Sequence, residues 1–425
     1  MARPAAPCGA RSDSRYTRSL SNQPTPPRAQ PLQRLRSLDG LRGVAAIVVV
    51  AYHSLLISPQ LADIVVNNKP PAPGSFWDLL LYSPLRIFIA GNEAVIVFFV
   101  LSGLVLTLQV RRERDFNWGT YFPRRLVRLY LPMFASVVFA VIVTLLLHRD
   151  RDASDSAWVQ FYTYPDFSWK FAIQAADVFN GTPDFNSPLW SLRWEVLFSL
   201  ALPVVIGVAL LARRHPVLGI LVASALGGLG AAWGNLSFTY LPAFLIGAVI
   251  AVALDPLRAA AARLSALRGG SVLWAAITVV GVVLLVSYWL VRPWADSDTV
   301  VFGVAFGLRT LGATILVLVA AFWAPAVRLL GSRFVQWLGV ISFSLYLVHV
   351  PIALAAIHLL GADNRKWAMA ATVVVAVLVA VLFAKFVEKP SHLLSKRVGA
   401  LVSTRIGLAQ RDIAQKRALA EDPRD

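Results

Sequence analysis

The chain alternates long apolar runs with short polar breaks. Ten runs are long enough to form a span, near residues 42–58, 87–108, 128–147, 189–211, 217–234, 237–254, 272–291, 300–323, 338–360 and 367–387. A hydrocarbon core takes roughly 20 apolar residues per helix, within a range of about 17 to 25. Backbone polar groups in lipid must be satisfied within their own segment, which selects helices here. The pattern therefore predicts an all-α, polytopic membrane helix bundle of about ten transmembrane helices. Residues 1–33 are rich in Pro, Ser, Gln and Arg without apolar periodicity and predict a disordered basic tail. Residues 34–391 form the expected membrane domain, and 392–425 a cytoplasmic C-terminal tail. The first run follows too long a polar stretch for a cleaved signal peptide, so it is expected to remain as a span. No repeat is visible at solenoid periods, nor a convincing inverted pair of broken helices, which weakens the case for a secondary transporter.

The breaks separate by charge. Arginines gather after the second run (Arg111, Arg112, Arg124, Arg125), the fourth (Arg213, Arg214), the sixth (Arg258, Arg263) and the eighth (Arg328, Arg333). Acids gather in the alternate breaks, as Asp63 and Asp78, then Asp152, Asp155 and Asp177, then Asp296 and Asp298. Basic loops stay in the cytoplasm, so both termini are expected there. The composition agrees: of 425 residues, 57% are hydrophobic and only 15% charged, and the mean hydropathy is +0.64, against about 25% charged in soluble domains. The net charge of +17 resides in loops, where it sets orientation and does not call for nucleic acid. The single cysteine, Cys8, excludes an internal disulfide and a Cys-based metal site, and no metal is expected. Arginine dominates the basic residues, which fits a bacterial genome rich in G and C.

Against this background a few polar residues stand out. An ionisable group at bilayer depth costs at least ~2.5–3.5 kcal/mol on insertion scales, so each one needs a partner or a task. In "LDGLRGVAAIVVVAYHS", Arg42 and His53 are eleven residues apart, close to three turns and roughly 16 Å along one helical face. Glu195 lies below the outer end of the fourth run, Glu93 lies at the rim of the second, and Arg309 falls within the eighth. Ser102 follows in "FFVLSG", and Ser342, Tyr346 and His349 share a face in "SFSLYLVHVP". Each also has a structural reading: a hydrogen-bonded core histidine for His53, an orientation anchor for Arg42, a counter-ion for Arg309 and helix packing for Gly103. Their convergence in one apolar bundle favours a site. The expected depths put Glu195 level with His53, and Arg309 is expected to pair with Glu195 or Glu93.

These segments resemble the acyltransferase 3 family of integral membrane O-acyltransferases acting on carbohydrates. "LDGLRGVAAIVVVAYH", "VFFVLSGLVLT", "FPRRLVRLYLP", "SPLWSLRWEVLF", "ISFSLYLVHVPI" and "VEKPS" follow the order of the family's motifs over residues 38–391. The chain has "SFSLYL" where SYSLYL is common, and the expected form is stand-alone, without a C-terminal SGNH hydrolase domain. The resemblance implies transfer of an acyl group, acetyl in the first instance, from cytoplasmic acyl-CoA to a hydroxyl of an extracytoplasmic carbohydrate or glycosylated acceptor. Acetyl-CoA or another acyl-CoA is then a co-substrate, with no permanently bound cofactor. The expected setting is the lipid bilayer of a bacterial plasma membrane.

Arg125 and Arg128 match the family's RxxR element and, with Arg42, are the expected donor-binding residues, since guanidinium forks suit phosphate. His53 is the expected general base, because imidazole titrates near 6.5, with Glu195 orienting it. An acyl-imidazole intermediate on His53 is the alternative. Glu93, Ser102, Arg309, Tyr346 and His349 are candidates to line the site. A proton-coupled transporter or flippase of a small polar or glycolipid substrate is the competing function, because such carriers also bury His, Glu and Arg. Neither the acceptor, the acyl chain length nor the oligomeric state is encoded in these motifs.

Overall fold

In the computed structural model, residues 35–113, 116–147, 151–163, 168–177, 186–295 and 299–420 are described. The N-terminal tail with Cys8 and the acids Asp296 and Asp298 lie outside them. The described residues are helical, with no strand among them. The main helices are α1 (Arg36–Leu55), α2 (Gly91–Arg112), α3 (Trp118–Leu146), α4 (Leu189–Leu211), α5 (Pro216–Ala232), α6 (Leu236–Val252), α7 (Leu254–Ala266), α8 (Gly270–Leu285), α9 (Thr299–Phe322), α10 (Arg333–Leu360), α11 (Arg365–Phe383) and α12 (Lys389–Ala420).

Every apolar run coincides with a helix, but their lengths differ. Seven helices are long and apolar enough to cross a membrane, or eight if α6 and α7, bent by 76°, make one broken span. The apolar helices α5 and α8 are shorter, at 17 and 16 residues. Local signals in the chain explain the short ends. Gly234 takes a positive φ of 67° between α5 and α6, and the Asn235 side chain then caps α6 by accepting from the Phe238 N–H at 3.1 Å.

Two close helix contacts organise the bundle. α1 packs along α10, where a Cβ at Gly43 would collide with the backbone of Leu338 and Gly339. α2 packs along α6, where a Cβ at Gly103 would collide with the Phe244 carbonyl. Without a hydrophobic driving force between helices in lipid, such backbone approach is what gives dispersion contacts their reach. Phe244 also stacks between Phe99 and Phe198, each with centroids 4.5 Å away. Gly103 is thus a packing residue, and the partly buried Ser102 beside it sits on the same contact-forming helix.

The C-terminal segment differs from the expected tail. After α11, residues 384–388 form a π-helical turn, and α12 continues from it and packs against α3. Insertions of this kind are frequent at functional sites because they rotate the following residues relative to the helix before them.

Candidate active site

The arginine-bearing segments define one end of the bundle. On α3, Arg125 forms an ion pair with Glu195 of α4. Its Nε also donates to Ser199 Oγ at 3.0 Å, and Ser199 in turn donates to the Glu195 carbonyl at 2.7 Å. Arg128, one turn along α3, lies within electrostatic reach of Arg125, Arg42, Glu388 and Glu195. Glu388 belongs to the π-helical turn and accepts from Ser344 Oγ of α10 at 2.5 Å. A cavity of about 290 Å³ opens here, lined by Gln109, Glu113, Phe116, Arg124, Arg125, Arg128, His392 and Lys396 among others. Arg111 does not join this set. It donates to the Ala251 carbonyl at 2.5 Å and so caps the end of α6.

Farther along the bundle the imidazoles meet. His53 is half-buried on α1 and His349 fully buried on α10, with His53 Nδ1 3.2 Å from His349 Nε2. Their tautomers follow from the neighbours. His349 Nδ1 faces the Leu345 carbonyl at 3.1 Å, and a carbonyl only accepts, so that nitrogen carries a proton. Neutral His349 therefore accepts at Nε2. His53 Nδ1 must donate, both there and to the Val49 carbonyl at 3.0 Å. The lone pair of neutral His53 is thereby placed on Nε2. Trp158, with its centroid 5.8 Å from the His53 ring, packs beside the pair.

Pro351 shapes this neighbourhood. It lacks the N–H that would bond the Leu347 carbonyl one turn back. Asn186 supplies the missing donor at 2.8 Å and also donates to Ser136 Oγ at 3.2 Å, which pins the start of α4 against α3 and α10. Below it, Ser191 Oγ and Tyr346 Oη share a hydrogen bond of 2.7 Å.

These contacts correct one expectation and bear out another. Glu195 does not contact His53. It lies four residues beyond Ser191 on α4, while His349 lies three beyond Tyr346 on the antiparallel α10. That separates the carboxylate from the imidazoles by roughly 10 Å along the bundle, given 1.5 Å per residue. The expectation counted residues from the predicted end of the run, whereas α4 starts below the bundle's end, at the level of Ser136. Arg309 faces Glu93, one of its two expected partners, at 3.8 Å. Arg86 also faces Glu93 at 3.8 Å, although no apolar run or motif had singled it out.

Segments far apart in sequence are therefore joined in pairs: His53 with His349, Arg125 with Glu195, Ser191 with Tyr346, and Ser344 with Glu388. A family profile described as an acyltransferase domain matches residues 35–385. The chain is 24% identical to "Peptidoglycan O-acetyltransferase OatA" of Listeria monocytogenes over 83% of its own length and 55% of that protein's. It is 26% identical to "Putative peptidoglycan O-acetyltransferase YrhL" of Bacillus subtilis, covering 83% of this chain and 54% of that one. The chain thus spans about half the length of these two relatives. With "Acyltransferase R4" of a Phoma species it shares 24% identity over 89% of itself and 98% of that protein. No solved structure matches the chain.

Proposed function

The chain belongs to the acyltransferase-domain family, and we propose that it moves an acyl group from cytoplasmic acyl-CoA to a hydroxyl of an extracytoplasmic carbohydrate. The proposal places the arginine end of the bundle in the cytoplasm, as the loop charges require, with both termini on that side of a bacterial plasma membrane. Relatives named for peptidoglycan O-acetylation make a cell-wall glycan the first acceptor to test and acetyl the first acyl group.

The observation that carries this reading is the His53–His349 contact, whose flanking carbonyls favour the His53 tautomer with its lone pair on Nε2. The acceptor hydroxyl needs a base as it attacks the thioester carbonyl, and the lone pair on His53 Nε2 meets that need. The hydroxyl proton passes to Nε2, the new C–O bond forms, and the C–S bond breaks. The departing thiolate then takes the proton from the imidazolium. His349 holds Nδ1 of His53 through a neutral acceptor nitrogen, and so orients the base without a carboxylate beside it.

Arg124, Arg128 and Lys396 offer cationic groups to the donor's phosphates at the cavity, with Arg42 on the flank of that charged network. Arg125 is shared with Glu195, which makes the pair a positioning unit for the arginine. The distance from Arg42 to His53, roughly 16 Å along α1, suits a long thioester arm reaching up the bundle from phosphates held at its foot.

Inverted membrane vesicles supplied with acetyl-CoA and a glycan acceptor test the proposal. The expected result is a product heavier by one acetyl group, absent in His53→Ala at unchanged membrane abundance. Full transfer by His53→Ala would remove the base from the mechanism, and a protein that yields no acylated product with any donor would remove the function.

A further inference from the structure

The polar cluster around Glu93 has no role in the chemistry above. Glu93 at the start of α2 is 1% exposed and faces Arg86 and Arg309, both at 3.8 Å. Trp289 Nε1 donates to its Oε1 at 3.2 Å. Arg86 is 0% exposed and stacks its guanidinium 4.2 Å from the Trp289 ring centroid and 5.3 Å from that of Tyr52. Among the described residues, Nε, Nη1 and Nη2 of Arg86, Nε of Arg309 and Oε2 of Glu93 are all buried without a hydrogen-bond partner.

The charges do not balance. Two guanidiniums share one carboxylate; a third, Arg292, covers Trp289 with its centre 4.8 Å from the ring centroid, but is partly exposed and donates to the Ile64 carbonyl and Asn68 Oδ1. Burying an uncompensated charge is costly, and each unpaired donor adds to the cost. The aromatic faces relieve part of it, because cation–π attraction favours Arg over Trp and Tyr. Apart from the Tyr52 hydroxyl, which faces Arg86, they supply no acceptor for the N–H groups. What this set lacks is one negative charge with two oxygens in a plane, matched to a guanidinium fork.

We propose that Arg86 and Arg309, backed by Trp289 and Tyr52, bind a carboxylate ligand beside Glu93. Arg86 provides the fork, since its nitrogens have only a long ion pair to Glu93 and the Tyr52 hydroxyl as polar neighbours, while Arg309 and Glu93 fix the charge around it. Two sources supply the same chemistry: a small free carboxylic acid, or a carboxylate carried by the acceptor itself. The second source is near the proposed chemistry, since Tyr52, in contact with Arg86, precedes His53, and the Tyr52 and His53 rings have centroids 5.1 Å apart. That second source rests on the acyltransferase reading. The binding site itself does not.

The test is thermal unfolding of the purified full chain in detergent, titrated with sodium formate against sodium chloride at constant ionic strength. Formate should raise the Tm saturably where chloride does not. Arg86→Gln should abolish the difference. Arg86→Lys, which keeps the charge and folds more safely, should raise the half-saturating formate concentration by about tenfold, having lost the fork. Equal responses to formate and chloride in the wild type, or a formate response unchanged in Arg86→Lys, would overturn the site.

A second arm assigns the source. Formate that competes with a carboxylate-bearing acceptor for transfer places the ligand on the acceptor. Formate that raises the Tm without touching transfer makes the free acid the ligand. The unfolding arm reads binding even if the protein transfers nothing, so failure of the acyltransferase reading and failure of the site are distinguishable.

Discussion

From Pro216 to Ala253, and again from Gly269 to Val291, the chain contains no Asp, Glu, Lys, Arg or His. Helices α5, α6 and α8 come from these stretches. α1, α3, α4 and α10, by contrast, hold Arg42, His53, Arg125, Arg128, Glu195 and His349. Both regions are helical and apolar on average, the first the more strongly so. The difference is in what fills the helix contacts. In the first region glycines and alanines bring backbones together, as at Gly247 against Val100 and Gly228 against Gly303. In the second, glycine contacts such as Gly43 against Gly339 are joined by polar side chains that reach across to one another or to a carbonyl freed by proline. Small-residue packing needs only shape. A buried polar pair needs each partner at a set depth, so it also fixes how the helices slide relative to one another.

The largest expected effect breaks the second region at its base. His53→Ala should lower acyl transfer by about 10²–10⁴-fold, the usual worth of a general base, while abundance in the membrane stays near wild type. His349→Ala should act in the same direction but recover partly in His349→Gln, whose side-chain oxygen can still accept from His53 Nδ1. Transfer assays with abundance checked by immunoblot separate the two. Equal activity of the Ala and Gln variants at position 349 would show that His349 only fills space.

Next comes the ion pair of the arginine end. Glu195→Ala leaves Arg125 largely buried, with Ser199 as its remaining partner. Removing one member of a fully buried pair costs about 3–5 kcal/mol, and partial exposure of both side chains should bring the loss toward the lower figure. Unfolding in detergent measures it. Replacing both residues by a Leu–Met pair should recover stability without recovering transfer, since the arginine would no longer be present for the donor.

The glycine contact that α2 makes with α6 of the first region should respond in the opposite way. Gly103→Val inserts a side chain against the Phe244 carbonyl, and overpacking of this kind costs about 1–3 kcal/mol. The amount of folded protein should fall while transfer per folded molecule is unchanged. A fall in specific activity, with the His53 and Arg125 contacts intact, would mean that the α2–α6 contact sets site geometry as well as stability.

How much of this could be read beforehand divides along the same line. Local patterning gave the apolar helices and Glu93 as one of two candidate partners of Arg309. What it could not give was depth. Glu195 looked level with His53 because the start of its helix was taken as the bundle's edge, whereas Asn186 and Pro351 draw that start inward. His349 was recognised as polar and on the right face of its helix, but its contact with His53 joins residues 296 positions apart. Arg86 escaped notice because it lies in a short 3-10 turn, Pro84–Ile89, at the edge of an apolar run. His392 and Lys396 were assigned to a tail, because a helix as polar as α12 gives no hydropathy signal of docking.

That last residue pair gives the smallest and most specific test of the comparison. Lys396 and His392 line the cavity from α12, opposite Arg124, Arg125 and Arg128 on α3. α12 lies outside both regions, and its residues from 392 on were expected to form a cytoplasmic tail. If it completes a phosphate-binding wall, Lys396→Ala should raise the apparent KM for acyl-CoA by several-fold and leave kcat nearly unchanged. An ammonium is a point charge without a fork, so its loss should cost about 1 kcal/mol where the cavity is open to solvent. Lys396→Arg should restore the donor affinity, since charge alone is asked for at this position. Raising the salt concentration should shrink the gap between wild type and Lys396→Ala, because screening weakens an exposed cation first. A gap that persists at high salt would assign Lys396 to the packing of α12 on α3, and the cavity's cationic wall would then be confined to α3.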